Sequence, residues 1–294
     1  MSASYIASNV RTGWRAAVAA NPLVRIVVGT LLVWFPVPLI TKLAHRLVAK
    51  PYSQIWPEIL ATAVSFLAYR FFVTRMEKRP LNEFAAGGAG RELGFGFLLG
   101  GGLHVLLIVT LAVFGVYQFD SINPLPIGLV SLLPLYVGVA MLEEMVGRGI
   151  IFGISEEALG SVPALAISAL FFGGIHMLNS GATILGGVSC TLFGLMFAAA
   201  YMATRRLWIC VGIHIAWNYF EGQVFSGVVS GYKDGTGLIR GHLVGSEMWT
   251  GGSFGIEGSV AALAIAGLAA LVLLYTAYAR RRFVGKAAQA LLAG

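Results

Sequence analysis

Charged residues are scarce in this chain of 294 residues. Asp, Glu, Lys and Arg make up 11% of the sequence, against about a quarter of a typical soluble domain. Hydrophobic residues make up 57%, and the mean hydropathy is +0.82. This composition excludes an ordinary soluble globular protein and indicates a polytopic membrane protein.

Cysteines are few, and strand-like patterns are absent from the sequence. The two cysteines, Cys190 and Cys210, both fall within long apolar runs, so neither a disulfide framework nor a thiolate zinc site is predicted. Apolar and polar residues do not alternate with period two, as a membrane β-barrel requires. A soluble helical bundle would need charged outer faces, whereas these runs are apolar nearly all round. The predicted fold class is therefore all-α, a polytopic membrane helix bundle.

Eight apolar runs are long enough to span the hydrocarbon core, which takes about 20 helical residues. We place them at residues 26–48, 56–74, 93–117, 125–153, 161–178, 183–203, 207–227 and 258–279. No domain boundary or repeat interrupts them, so residues 1–294 are predicted to form a single membrane domain. The glycine-rich stretch from Gly227 to Gly258 is predicted to be a flexible outer loop. Glu156 and Glu157, just beyond the fourth run, are predicted to be solvated.

The basic residues are distributed unevenly between the two sides of the predicted bundle. If the N-terminus is cytoplasmic, thirteen arginines and lysines fall in cytoplasmic segments and five in outer loops. This asymmetry favours both termini in the cytoplasm, and the short loops suit a bacterial inner membrane. It also accounts for the net charge of +7, so the expected partner is the lipid bilayer and not a nucleic acid.

Three ionisable residues interrupt the fourth apolar run in the stretch "MLEEMVGRG". Glu144 and Arg148 are four residues apart, which places them on one helical face within reach of an ion pair. Glu143 is rotated by about 100° from Glu144 and cannot share that partner equally. Either both glutamates serve a buried salt-bridge network, or the unpaired Glu143 is available as a general base or acid.

Three further polar residues lie in later apolar runs. His176 stands near the end of the fifth run, in "LFFGGIHML". His214, Asn218 and Glu221 share one helical face of the seventh, in "VGIHIAWNYFEG". Each residue could simply form a hydrogen bond with a neighbouring helix. A helical face with several polar side chains is costly against lipid, however, so these residues together indicate a water-filled cavity inside the bundle.

Together these side chains supply what the hydrolysis of an amide needs. A carboxylate and an imidazole can remove a proton from water, while a second imidazole and a carboxamide can stabilise the oxyanion. Two histidines and one glutamate, here Glu143, His176 and His214, could instead bind a catalytic zinc ion. The HExxH arrangement of the zincins is absent from the sequence.

Three motifs stand in a characteristic order, each within an apolar run: EExxxR from Glu143 to Arg148, FxxxH from Phe172 to His176, and HxxxN from His214 to Asn218. In this order they resemble the CPBP family of intramembrane proteases, which comprises the type II CAAX prenyl endopeptidases and the bacteriocin-processing (Abi) proteins. The stretches "EKRPLNEF" and "YMATRRLWICVGIHIAWN" resemble further family segments. The resemblance covers residues 77–221, which we take as the catalytic core.

The resemblance implies a role for each matching residue. Glu143 corresponds to the catalytic glutamate and His176 to the histidine that helps it activate water. His214 and Asn218 correspond to the oxyanion site. The supporting ion pair that orients the catalytic helix corresponds to Glu144 and Arg148.

The resemblance leaves the metal and the substrate open. Family members have been described both as metalloproteases and as metal-free glutamate proteases. Because asparagine is a poor zinc ligand and the Glu–His pair suffices as a base, we expect no cofactor, with zinc as the alternative. The implied substrate is a hydrophobic or prenylated peptide, and the sequence does not define an oligomeric state.

Two other functions are compatible with the composition. A non-catalytic immunity or scaffold protein that binds a peptide would keep the fold, but it would not need all six site residues. A secondary transporter would also hold acids and histidines at the membrane midplane, but the paired repeats expected of one are not visible. The predicted spans also place His176 nearer the outer side than Glu143 and His214, so the convergence of these three side chains is a test of the hypothesis.

Overall fold

The computed structural model describes residues 20–47, 55–124, 128–233 and 237–285. Within these ranges the chain is mainly helical, which confirms the all-α polytopic helix bundle. Six helices are long and apolar enough to cross a membrane, so the chain is an integral, multi-pass membrane protein. They are Pro22–Ala44, Trp56–Met76, Ala89–Val113, Gly128–Leu159, Ile184–Thr204 and Val260–Ala279.

The predicted count of eight spans is not confirmed. The fifth and seventh predicted runs correspond to shorter helices in the described part of the chain. One is Ser161–His176, with 16 residues, and the other is Trp208–Tyr219, continued by a π-helical turn from Phe220 to Val224. The predicted ends at residues 178 and 227 lie two and three residues beyond the observed helix ends at His176 and Val224.

We number the helices and strands in chain order. The α-helices are α1 Pro22–Trp34, α2 Pro36–Leu47, α3 Trp56–Phe71, α4 Ala89–Val113, α5 Gly128–Ser131, α6 Leu133–Glu144, α7 Gly153–Leu159, α8 Ser161–His176, α9 Ile184–Thr204, α10 Trp208–Tyr219, α11 Glu247–Thr250 and α12 Val260–Ala279. Segments of π-helix follow α3, α6 and α10, at Phe72–Met76, Met145–Phe152 and Phe220–Val224. Short 3₁₀ turns cover Asn82–Phe84, Gly252–Phe254 and Ile256–Gly258. The strands are β1 Tyr117–Ile122 and β2 Ile239–Leu243.

The fourth membrane-spanning helix is longer than predicted. It continues through the π-helical segment Met145–Phe152 and α7 to Leu159, six residues beyond the predicted end at residue 153. Glu156 does not end the helix because its carboxylate is buried and bonded to Arg205 and Ser161. The prediction that Glu156 is solvated was therefore wrong, whereas the side chain of Glu157 is 63% exposed.

Arginines gather at one end of the bundle, which we call the arginine-rich end. Four of them form ion pairs with acids, including the α7 residues Glu156 and Glu157, and the fifth, Arg280, donates to the Ala203 carbonyl oxygen. The members of this cluster are Arg25, Arg79, Arg205, Arg206 and Arg280.

At the opposite end, the segment from Gly227 to Gly258 was predicted to be a flexible loop, but its described residues, 227–233 and 237–258, include a strand and short helical turns. Residues 234–236 lie outside the described ranges. The strand of this segment, β2, pairs antiparallel with β1. The segment also contains α11 and two 3₁₀ turns before α12. Gly255 has φ +106°, and a Cβ there would lie 1.9 Å from the Val228 carbonyl oxygen, so this turn requires glycine.

Helices α4 and α10 pack with their backbones in contact. A Cβ added at Gly96 or Gly100 would lie 2.4 Å from the carbonyl oxygen of Ile209 or Ile213, respectively. A Cβ at Gly212 would lie equally close to the Leu93 carbonyl oxygen. Small residues allow this close approach between membrane helices, and here it fixes the position of the helix that carries His214 and Asn218.

Candidate active site

The centre of the bundle holds a buried ion pair. Arg148 and Glu144 are both 0% exposed, and the Arg148 Nη1 donates to Glu144 Oε1 at 3.0 Å. The Nη2 of Arg148 donates to the Gly194 carbonyl oxygen at 2.9 Å. The guanidinium also lies over the rings of Phe172 and Phe197, at 4.7 and 4.8 Å from their centroids. The predicted pairing of Glu144 with Arg148 is thus present, and the buried charge is compensated from several sides.

The same carboxylate orients His214. The Nδ1 of His214 lies 2.9 Å from Glu144 Oε1, and the His214 ring stacks on Phe197. Because an ionised carboxylate only accepts hydrogen bonds, Nδ1 carries the proton that bonds to it. The Nε2 of His214 is then the nitrogen that faces Glu143.

His176 is oriented in a similar way from α8. Its Nδ1 lies 2.8 Å from the carbonyl oxygen of Phe172, one turn earlier. A carbonyl can only accept, so Nδ1 donates and Nε2 is free. In their neutral forms both histidines therefore present an acceptor nitrogen towards Glu143.

Glu143 lies between the two imidazoles. Its Oε2 is 3.9 Å from His176 Nε2 and 3.8 Å from His214 Nε2, and it accepts no hydrogen bond from the described residues. The Glu143 side chain is 23% exposed, whereas that of Glu144 is 0% exposed. These separations are too long for direct hydrogen bonds but suit a small bridging molecule such as water.

A cavity of about 20 Å³ adjoins these groups, enough for about one water molecule. Its wall includes His176 and His214, and also Asn218, which lies one turn after His214 and is 8% exposed. The structure thus brings all six predicted polar residues to one region of the bundle.

The predicted mismatch in depth disappears with the longer fourth helix. Glu143 precedes the end of that helix at Leu159 by sixteen residues, and His176 follows the start of α8 at Ser161 by fifteen. Both helices meet at the arginine-rich end, where the Ser161 hydroxyl donates to Glu156. Similar distances along two adjoining helices place the two side chains at the same level.

Two further acids near the cavity were not recognised as site residues from the sequence. Glu257, in the 3₁₀ turn before α12, is 4% exposed and lines the cavity together with Ser230. Glu221 was noted on the helical face of His214, and it is 0% exposed beside Glu257. No sequence motif links Glu257 to the HxxxN stretch, because only the tertiary fold brings it there.

The predicted alternative of a zinc ion bound by Glu143, His176 and His214 stays a prediction. Within the four described ranges, no group of three His, Cys, Asp or Glu side chains is arranged to hold a metal ion. The Glu143, His176 and His214 atoms that face each other are nearly 4 Å apart, longer than the spacing between ligands that lie about 2 Å from a common zinc ion.

Comparisons with known proteins agree with the motifs. The family model for "Type II CAAX prenyl endopeptidase Rce1-like" proteins matches residues 123–220. A protein of Bacillus subtilis (strain 168), named "Putative membrane peptidase YdiL", is 29% identical over 113 residues, which are 37% of this chain and 44% of that protein. The chain thus spans less than half the length of this relative. No solved structure matches the chain. The resemblance to the CPBP family is confirmed over the matched segment.

Proposed function

We propose that this multi-pass membrane protein, whose residues 123–220 match the Rce1-like CAAX prenyl endopeptidases, is an intramembrane endopeptidase. The observation that carries the proposal is the place of Glu143, whose Oε2 lies between the Nε2 atoms of His176 and His214. The Glu143 carboxylate and an imidazole nitrogen beside it can each accept a hydrogen bond from the same water molecule, which is thereby held through both of its protons. This arrangement prepares the water oxygen to attack a carbonyl carbon.

In the proposed reaction Glu143 is the general base. It takes one proton from the water, with His176 accepting the other hydrogen bond, while the water oxygen bonds to the peptide carbonyl carbon. The C–N bond then breaks as Glu143 passes the proton to the departing amine nitrogen. The products are a carboxylic acid and an amine, and Glu143 returns to its ionised form.

Asn218 and His214 stabilise the negative charge that develops on the carbonyl oxygen. The amide nitrogen of Asn218 is a hydrogen-bond donor in any protonation state. His214 donates from Nε2 when its ring is doubly protonated, while Nδ1 bonds to the Glu144 carboxylate. Arg148 holds the Glu144 carboxylate in place.

We propose that the reaction proceeds without a metal and acts on a hydrophobic or prenylated peptide. Asparagine is a poor zinc ligand, and the Glu–His pair can supply the base. The positive-inside rule places the arginine-rich end, and both chain termini, on the cytoplasmic side. The short loops suit a bacterial inner membrane, from which an apolar peptide can enter the bundle.

The test is cleavage of fluorogenic hydrophobic peptides, one of them farnesylated, by the purified full-length chain in detergent. Glu143→Gln should lower the cleavage rate at least about a hundredfold and leave the apparent unfolding midpoint unchanged. Matched controls are Glu157→Gln and His242→Ala, whose side chains are exposed and distant from the cavity. These two should retain wild-type rates.

Three outcomes would contradict the proposal in different ways. Cleavage retained by Glu143→Gln would remove the assigned base. Loss of activity with a chelator, restored by zinc, would replace the metal-free mechanism with a metal site. If the wild type cleaves no peptide, the non-catalytic peptide-binding or immunity function stands.

A further inference from the structure

Two buried acids, Glu221 and Glu257, lie next to each other beside the catalytic cavity. They come from different elements, the π-helical turn after α10 and the 3₁₀ turn before α12. Neither belongs to the EExxxR, FxxxH or HxxxN motifs, and both lie outside the family match, which ends at residue 220.

The surroundings of the pair contain no compensating positive side chain. The Ser230 hydroxyl donates to Glu257 Oε1, and the Ser189 hydroxyl donates to the Glu257 carbonyl oxygen at 2.5 Å. Neither carboxylate oxygen of Glu221 receives a hydrogen bond from the described residues. The other titratable groups facing this region are His176, Cys190 and Glu143, and the described residues show no arginine or lysine paired with either acid.

Two adjoining carboxylates in a buried, low-dielectric site cannot both be ionised at neutral pH, since the like charges repel and neither is well solvated. The Glu221 carboxylate lies against the turn that carries Glu257, since a Cβ added at Gly255 would lie 3.1 Å from Glu221 Oε1. Burial also raises the pKa of Glu257 above the usual range of a glutamate. One retained proton therefore removes the repulsion between the two charges.

We propose that Glu221 and Glu257 hold one proton between them and supply the catalytic cavity with a hydrogen-bond donor through Glu257 and Ser230. This use of the pair rests on the proposed peptidase function. When the proton resides on Glu257, the acid donates to the Ser230 oxygen, and the Ser230 hydroxyl is free to donate into the cavity. Only the direction of the hydrogen bonds changes, and no proton leaves the pair.

The motif residues supply the cavity with few hydrogen-bond donors. The Nδ1 protons of His176 and His214 are committed to Phe172 and Glu144, so both neutral rings offer only acceptors, as does Glu143. Among the motif residues that line the cavity, Asn218 donates in every protonation state, whereas His214 donates from Nε2 only when its ring is doubly protonated. A neutral carboxylic acid can serve as an additional donor to a developing oxyanion, and both Ser230 and Glu257 line the cavity wall.

The shared proton can be tested without any cleavage assay. Infrared spectra of the full-length protein in detergent should show the carbonyl band of a protonated carboxylic acid at neutral pH, and this band should shift in deuterated water. Glu143→Gln should keep the band, and the Glu221→Gln/Glu257→Gln double variant should lose it. If the double variant does not fold, each single variant should shift the band instead. A wild type without the band, or a band unchanged in all of these variants, would overturn the shared proton.

The donor role is tested by the pH dependence of kcat/KM. We expect the wild-type rate to fall on the alkaline side as the pair loses its proton. Glu257→Gln keeps a donor at every pH and should remove that fall, whereas Glu257→Ala should lower the rate at least about tenfold. Glu247→Gln, an exposed acid near the same turn, should reproduce the wild-type profile. A Glu257→Gln profile identical to that of the wild type would overturn the donor role. The infrared spectra decide whether the proton is shared, even if the protein cleaves no peptide.

Discussion

Two groups of acids, at two levels of the bundle, are stabilised in different ways. At the arginine-rich end, five carboxylates each have an arginine partner: Glu77, Glu83, Glu92, Glu156 and Glu157. In the centre, Glu144 is paired with Arg148. Within the described residues, however, Glu143, Glu221 and Glu257 have no arginine or lysine partner.

Acids that are paired with arginine stabilise the fold, whereas acids without such a partner can exchange protons. An acid paired with arginine stays ionised and fixed, so it stabilises the junction of two segments and can do little chemistry. An acid without a cation beside it, in a site shielded from water, can take up or release a proton. The centre is held by the Glu144–Arg148 pair and by close packing through glycines between α4 and α10.

Arg148→Ala should have the largest effect, because it converts the paired Glu144 into an uncompensated buried charge. We expect a loss of about 3–5 kcal/mol in stability, seen as a large fall in the yield of folded protein, together with loss of cleavage. Arg148→Lys should recover part of the yield, since it restores the charge but not the simultaneous hydrogen bonds to Glu144 and to the Gly194 carbonyl oxygen. Normal amounts of folded, active Arg148→Ala protein would contradict the role of Arg148 as the central counter-ion.

Gly100→Ala tests whether packing holds the centre. Its new Cβ would lie 2.4 Å from the Ile213 carbonyl oxygen, so α10 must shift and carry His214 with it. A cost of about 1–3 kcal/mol is typical of such overpacking, and kcat should fall as well. Gly102→Ala, on the same helix with no atom within 4 Å of its added Cβ, is the matched control. Equal unfolding midpoints for the two variants would show that the contact between α4 and α10 can relax.

Glu156→Gln probes the arginine-rich end. It removes the charge paired with Arg205 where α7 meets the segment before α10. We expect a loss of about 1 kcal/mol in stability and an unchanged cleavage rate per folded molecule. A changed rate at equal folded concentration would mean that the two groups of acids are coupled.

His104→Phe should have the smallest effect. His104 is 0% exposed, contacts the rings of Trp217 and Phe225, and neither of its nitrogens has a partner in the described residues. Because replacing an unsatisfied polar group by an apolar one of similar shape is near neutral, the unfolding midpoint should stay the same or rise slightly. A large loss of cleavage by folded His104→Phe protein would place this histidine in the catalytic machinery.

Much of the candidate site could be read from the sequence, because acids and histidines are conspicuous in apolar runs. The spacing of Glu144 and Arg148 predicted their ion pair. The three motifs identified side chains from α6, α8 and α10 that the structure brings together. Their catalytic roles remain proposals for the experiments above.

Other features depend on contacts that no local pattern records. The fourth helix passes its predicted end because Arg205, distant in sequence, neutralises Glu156. Strand β2 forms because β1 lies beside it, although it belongs to a glycine-rich segment that resembles a loop. Glu257 enters the cavity wall through the turn before α12, 43 residues after His214.

The short helix α8 has a consequence for the surrounding lipid. Its 16 residues extend over about 24 Å, whereas the hydrocarbon core of a typical bilayer is about 30 Å thick. A short helix that faces lipid, as the exposed Val162 and Leu170 of α8 do, favours a thinner bilayer or lipids with shorter acyl chains. Reconstitution in lipids of graded chain length should therefore change the stability of this protein, with the best match in the thinner bilayers.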